Sequence, residues 1–249
     1  MLEITWLGHS TVLIELDGVR LLTDPVVRNH VGPLVRVAPP VPSSALDAID
    51  AVLLSHLHAD HADARSLRWV RSPLVIAPRG AARWLAKNRI TGELREVVAG
   101  EDHVVDSVHV TATPPTHDAR RWPLGARAEP VGFVVRGAGG SAYFAGDTDL
   151  HPAMAELAGS IDVALLPVSG WGPTLGPGHL DAERATDAAA MIAPRVAVPI
   201  HWGTLAPRRP LRRHPDPARP PQEFARLMAG RAPEVEVRVL APSQRIAVE

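Results

Sequence analysis

Apolar and polar positions alternate from the start of the chain. EITWLGHSTVLIEL (residues 3–16) is rich in β-branched side chains, Asp17-Gly18 is a hairpin dipeptide, and VRLLTDP (19–25) continues the pattern, so three strands are predicted. A proline-rich loop covers roughly 32–43, after which IDAVLLSH (49–56) reads as a buried strand and ADARSLRWV (62–70) has helical spacing. SPLVIAP (72–78) predicts a strand, RGAARWLAKNRI (79–90) a helix and HVVDSVHVTAT (103–113) another strand. VGFVVRG (131–137) and SAYFAGD (141–147) flank a glycine-rich turn and predict a hairpin. HPAMAELAG (151–159) predicts a short helix, IDVALLPV (161–168) a strand, DAERATDAAAMIA (181–193) a helix and RVAVPIHWG (195–203) a strand. APRRPLRRHPDPARPP (206–221) has too many prolines for regular structure, and PQEFARLMAG (221–230) and VEVRVL (235–240) predict a final helix and strand.

Strands and helices alternate, with hairpins inserted toward both ends. That order predicts two mixed sheets packed together with helices outside, not a purely parallel sheet. No internal repeat is visible in the sequence and no linker is long enough to divide it, so residues 1–249 are expected to form a single domain.

Composition narrows the chemistry. Hydrophobic residues make up 46% of the 249 and charged residues 21%, an ordinary balance for a globular protein with a generous core. The net charge of −1 gives no reason to expect nucleic acid or an anionic membrane as a partner. Basic residues are nearly all arginine, with Lys87 the single lysine. The N-terminus lacks the basic and apolar regions of a secretory signal, and no apolar run approaches a bilayer's thickness. A cytoplasmic protein without integral membrane association is expected.

The chain has no cysteine, so any metal must be held by histidine and carboxylate, which suits zinc, manganese or iron. Candidate ligands are concentrated. LLSHLHADHAD places His56, His58, Asp60 and His61 within six positions after an apolar strand. If the extended backbone persists beyond Ser55, His56, His58 and Asp60 share one face, and His61 opens the next helix from another angle. Four donors so close together suit two ions better than one. His117, Asp147 and His201 each follow an apolar strand, where chance turn chemistry is a poor explanation for all three.

His-x-His-x-Asp-His, followed by His, Asp and His after later strands, resembles the ligand pattern of the metallo-β-lactamase-fold hydrolase superfamily, over essentially the whole chain. The resemblance implies a four-layer αβ/βα sandwich with metals in the groove at the sheets' edges. It implies that His56, His58 and His117 hold one ion, that Asp60, His61 and His201 hold the other, and that Asp147 bridges both. Two divalent ions, zinc first and manganese or iron as alternatives, would then share a nucleophilic hydroxide. WLGHSTVLIELDG, LLTDP, THDAR and IHWGT further resemble the subgroup of ascorbate-6-phosphate lactonases and N-acyl-phosphatidylethanolamine phospholipase D-type phosphodiesterases.

Around this core, His9 is expected beside the metals and Asp24 is expected to orient a ligand histidine. His179, ahead of a helix, is a candidate proton donor to the leaving group. Trp122, Trp171 and Trp202 are candidate pocket walls, and the arginines of 208–213 a candidate clamp for an anionic substrate. His103, His109, His151 and His214 are assigned no catalytic role. The expected function is a dinuclear hydrolase of a small, anionic substrate, with a phosphodiester ahead of a lactone or ester. A non-catalytic metal-binding or sensing protein is the alternative from another class, and di-iron oxidation a third; filled ligand positions argue against the former. The chain begins at its first strand, which argues against a membrane phospholipid as substrate. Oligomeric state is not legible.

Overall fold

The computed structural model describes residues 1–118, 120–121, 125–209 and 216–248. The chain opens with an antiparallel meander, β1 (Leu2–Gly8), β2 (Thr11–Leu16) and β3 (Val19–Thr23). A small hairpin follows, β4 (His30–Val31) and β5 (Leu34–Arg36). The parallel strands β6 (Ala51–Leu53), β7 (Leu74–Pro78) and β8 (Glu93–Val97) then extend the meander, with helices α1 (Ala64–Val70) and α2 (Ala82–Lys87) between them.

The second half repeats this plan. β9 (Asp102–Val105), β10 (Val108–Thr113), β11 (Gly132–Gly137) and β12 (Gly140–Phe144) are antiparallel, and β13 (Val163–Pro167) and β14 (Val196–Ile200) add in parallel. β15 (Leu205–Pro207) joins the small hairpin, α3 (Ala182–Ile192) and α4 (Arg219–Arg231) cover the second sheet, and β16 (Glu236–Val237) and β17 (Gln244–Val248) finish the two sheets. Among the described residues the strand orders are β17-β1-β2-β3-β6-β7-β8 and β16-β14-β13-β12-β11-β10-β9. Each sheet is a meander continued by three parallel strands, a likeness that the sequence does not display.

Side-chain alternation builds the layers. Ile4, Trp6, Val12 and Ile14 of the first sheet meet Phe133, Val135, Leu165 and Val198 of the second in the central core. Residues on the opposite face point outward: Leu7, Leu13 and Leu22 pack under α1 and α2 with Leu67 and Leu85. Val134, Ala164 and Leu166 pack under α3 and α4 with Ala185, Ala189 and Phe224. Buried alanines at three- and four-residue spacing let α3 lie close to the sheet, and Asp181 caps its start by accepting from Arg184 N at 2.9 Å. The arrangement is the expected four-layer αβ/βα sandwich.

Several elements depart from expectation. The strand predicted over 103–113 is broken by a turn, with Asp106 at φ 54°. Residues 152–157 form a 3₁₀ helix. The stretch over 235–240 is a two-residue strand, and the longer edge strand β17 lies beyond it. Among the described residues, no helix is long and apolar enough to cross a membrane.

Candidate metal centre

The regular strand stops short of the motif. β6 ends at Leu53, and the chain turns so that His61 N and Ala62 N both donate to His58 O, at 3.1 and 2.8 Å. This turn, not strand alternation, distributes the motif. His56 and His58 fall with His117 and Asp147 in one group of potential ligand atoms, and Asp60 and His61 fall with His9 and His201 in another. Within each group the atoms lie within 4.8 Å of one another. α1 begins at Ala64, so His61 precedes the helix instead of opening it.

The later donors come from the C-terminal ends of strands, where a sheet presents its loops. His117 lies four residues past β10, Asp147 three past β12, and His201 directly follows β14 at φ 64°. Asp147 is central: its carboxylate lies 3.2 Å from His61 Nε2, 3.2 Å from His201 Nε2 and 3.9 Å from His56 Nε2. Asp60 lies 3.7 and 3.8 Å from His61 Nε2 and His201 Nε2. The two groups meet across His61 and Asp147.

Outer partners fix which nitrogen each histidine turns inward. His61 Nδ1 donates to Asp24 Oδ2 at 2.7 Å, His117 Nδ1 to Gly178 O at 2.8 Å, and His201 Nδ1 to Ser169 O at 2.7 Å, leaving Nε2 inward in each. His58 is reversed: Nε2 donates to Arg120 O at 2.7 Å, and Nδ1 faces His117 Nε2 at 3.2 Å. His56 Nδ1 donates to Ser55 Oγ, which itself donates to Asp24 Oδ2. Asp24 is fully buried, at φ 33°, and also accepts from Ser55 N, so one carboxylate orients a histidine of each group.

His56 Nε2 and Asp147 Oδ1 are buried with no hydrogen-bond partner among the described residues. Unsatisfied, such atoms are costly, and a cation satisfies both. Electrostatics agree. Burial, with His61 and His117 alongside, holds the His56 imidazole far below its usual pKa, and burial pushes His201 down to about 3. Burial alone would raise the Asp147 carboxyl, but His201 and His61 outweigh it and hold it well below its ordinary range. Neutral His56 and His201 beside an ionised Asp147 are the protonation states a divalent ion needs. His61 goes the other way: burial would lower its pKa, but Asp147 and Asp60 raise it well above its usual value, a positive charge held where a cation would take over that role. The donor set therefore fits metal.

His9 sits inside the site. Its backbone turns at φ 54°, its N–H donates to Thr204 Oγ1 at 2.8 Å, and its Nε2 lies 3.1 Å from Asp60 Oδ2. Gly8 makes this turn feasible: it has φ +112°, and a Cβ there would meet Thr204 Cγ2 at 2.8 Å. His179 Nε2 lies 3.4 Å from Asp147 Oδ2. Burial alone would lower its pKa, but the bond to Asp147 and that residue's charge raise it.

A cavity of about 380 Å³ opens over Asp60, Asp147 and His201, walled by Leu34, Trp171 and Leu175 and including His179. Trp202 does not line it. Its ring stacks on the buried Trp6 with centroids 4.8 Å apart, and Nε1 donates to Pro199 O, so the pocket reading of Trp202 gives way to a core role. Trp122 and residues 210–213 lie outside the described residues, and Arg208 and Arg209 are exposed and away from the cavity lining. The sequence reading missed Arg121, which lines the cavity. Its position four residues after His117 was the available signal. It also missed Ser55 and the β4–β5 turn, whose short strands carry no clear periodicity.

Residues 19–202 match the family model described as a beta-lactamase superfamily domain. A UPF0173 metal-dependent hydrolase of Methanopyrus kandleri is 31% identical over 98% of this chain and 98% of its own length. A second UPF0173 metal-dependent hydrolase, from Caldivirga maquilingensis, is 31% identical over 95% and 94%. The solved structure of a metallo hydrolase from Ignicoccus hospitalis superposes with a TM-score of 0.73, at 25% identity, covering 100% of this chain and 98% of that one. With the two-sheet fold and the paired histidine–aspartate groups already in place, these similarities assign the chain to the metallo-β-lactamase superfamily and, within it, to the UPF0173 metal-dependent hydrolase family.

Proposed function

We propose that this protein is a hydrolase that uses two divalent cations, zinc first among them, to cleave a small anionic ester, a phosphodiester ahead of a lactone or carboxylic ester. The observation that carries this reading is the pair of four-residue ligand groups beneath one open cavity. His56, His58 and His117 would hold one ion and Asp60, His61 and His201 the other, with Asp147 near enough to both groups to serve each. Two such ions would lower the pKa of a water and polarise the substrate's electrophilic oxygen.

The chain's own side chains supply the rest. His9 holds Asp60 through Nε2, which fixes the carboxylate's orientation. His179 bonds through Nδ1 to Gly176 O and Pro177 O, which leaves Nε2 on the Asp147 side at the cavity lining, the position from which it would give a proton to the departing oxygen. Leu34, Trp171 and Leu175 exclude water from the substrate's apolar part. Arg121 provides cationic charge at the same wall.

The resemblance to lactonases and phosphodiesterases supports both bond types. The apolar wall specifically favours the second reading, a lactone or carboxylic ester. The test is hydrolysis of bis(4-nitrophenyl) phosphate by metal-reconstituted protein, with His58→Ala as the blank. Turnover that disappears in the variant supports a phosphodiesterase. If metal-loaded protein ignores the diester but opens lactones or 4-nitrophenyl esters, the second reading replaces it, and failure on both overturns the hydrolase.

A further inference from the structure

A second concavity, of about 630 Å³, adjoins the catalytic one. Arg121 lines both. The β4–β5 turn divides them: Val31 and Pro33 line the catalytic cavity, whereas His30 and Gly32 line the second groove. Arg28, Arg65, Arg68 and Lys87 complete a cationic wall with Arg121, and Asp63 is its one acidic member.

That imbalance is local, because the whole chain carries a net charge of only −1. Asp63 does not offset it well. Its Oδ2 caps α1, accepting from Ser66 N at 2.9 Å and Ser66 Oγ at 2.7 Å, and Arg28 stands 3.7 Å away. Arg65 and Lys87 are exposed and make no ion pair among the described residues. Arg121 is held in place by Nη1, which donates to Leu57 O and to Ala62 O, and by Trp84, whose ring lies 4.6 Å beneath the guanidinium carbon. Leu57 and Ala62 bracket the ligands His58, Asp60 and His61, so this guanidinium is fixed to the catalytic turn itself. Among the described residues Nη2 and Nε make no hydrogen bond, and they remain for an anion.

A concave wall of like charge concentrates anions, and one that begins at the catalytic cavity selects those attached to a substrate already there. We propose that this groove is a subsite for a second, non-reacting phosphate group of the substrate, with Arg121 shared between the reacting and the anchoring ends. The inference rests on the hydrolase reading and adds to it a substrate class: small esters that carry a phosphate set apart from the scissile bond.

The test compares hexane-1,6-diol bisphosphate with hexyl phosphate in calorimetric titrations of zinc-loaded protein. The bisphosphate is expected to bind at least about tenfold more tightly to the wild type, and Arg65→Glu/Lys87→Glu is expected to erase that advantage. Affinity for hexyl phosphate and zinc content should be unchanged in the variant. No advantage in the wild type, or one that survives in the double variant, overturns the subsite. An oligonucleotide that binds far more tightly than the bisphosphate and is released by the same variant also overturns it, in favour of a nucleic-acid surface. Turnover of 4-nitrophenyl hexyl phosphate and of 4-nitrophenyl esters is measured separately, so that a failed hydrolase and a failed subsite give different results.

Discussion

Asp24 Oδ2 lies 2.7 Å from His61 Nδ1, and the same oxygen accepts from Ser55 Oγ, which receives His56 Nδ1. One buried carboxylate therefore orients a histidine in each ligand group. Asp24→Asn keeps the shape but has a single acceptor oxygen for three donors. It should weaken metal affinity by about 10–100-fold, the usual cost of losing an outer-shell carboxylate. Competition with a chromogenic chelator checks this, and unchanged affinity would show that the histidines do not need Asp24.

Asp60 belongs to one ligand group and bonds to His9. Asp60→Ala should empty or weaken that site, lower turnover by at least about a hundredfold, and leave the other group occupied. Its side chain is 13% exposed and faces histidines rather than the apolar core, so the circular-dichroism spectrum should match the wild type's. Full metal content with full activity would refute the ligand assignment.

Trp171 and Trp202 should behave oppositely. Trp171, 42% exposed, lines the cavity, and Trp171→Ala should raise KM severalfold while changing stability by less than about 0.5 kcal/mol. Trp202 stacks on Trp6, and Trp202→Ala should cost about 3 kcal/mol of folding stability. Urea denaturation and steady-state kinetics separate the two, and a Trp202 variant of native stability would contradict the core assignment.

Acid sensitivity away from the metals has a traceable contributor. Burial alone would raise the Asp162 carboxyl, but bonds from Ser141 and Arg195 lower it. A depressed folded-state pKa gives stability that is full above the unfolded value, about 3.9, and is lost as pH falls through the folded value. The stability difference between wild type and Asp162→Asn should thus shrink as pH drops from 5 toward 2. A difference constant across that range would contradict the assignment.

Much of this was legible in the sequence, for identifiable reasons. Strong alternation in β1 and β2, and buried alanines at helical spacing in α3, are local signals that tertiary packing reinforces. The candidate ligand residues stood out because histidine and aspartate after apolar strands have little use in a core. How the motif divides was legible only through the family resemblance: alternation would keep Asp60 with His56 and His58, whereas the turn that parts them rests on hydrogen bonds to His58 O, which spacing does not encode. β17 was missed because its partner, β1, lies at the other end of the chain. Arg121 acquires its place only when Trp84 and the carbonyls of Leu57 and Ala62 converge on it.

The most direct test of the central claim is the metal content of the zinc-reconstituted, dialysed protein by inductively coupled plasma mass spectrometry. Two paired ligand groups predict two zinc ions per chain. One ion or none, from protein whose fold is verified in the same sample, would contradict a two-ion hydrolase.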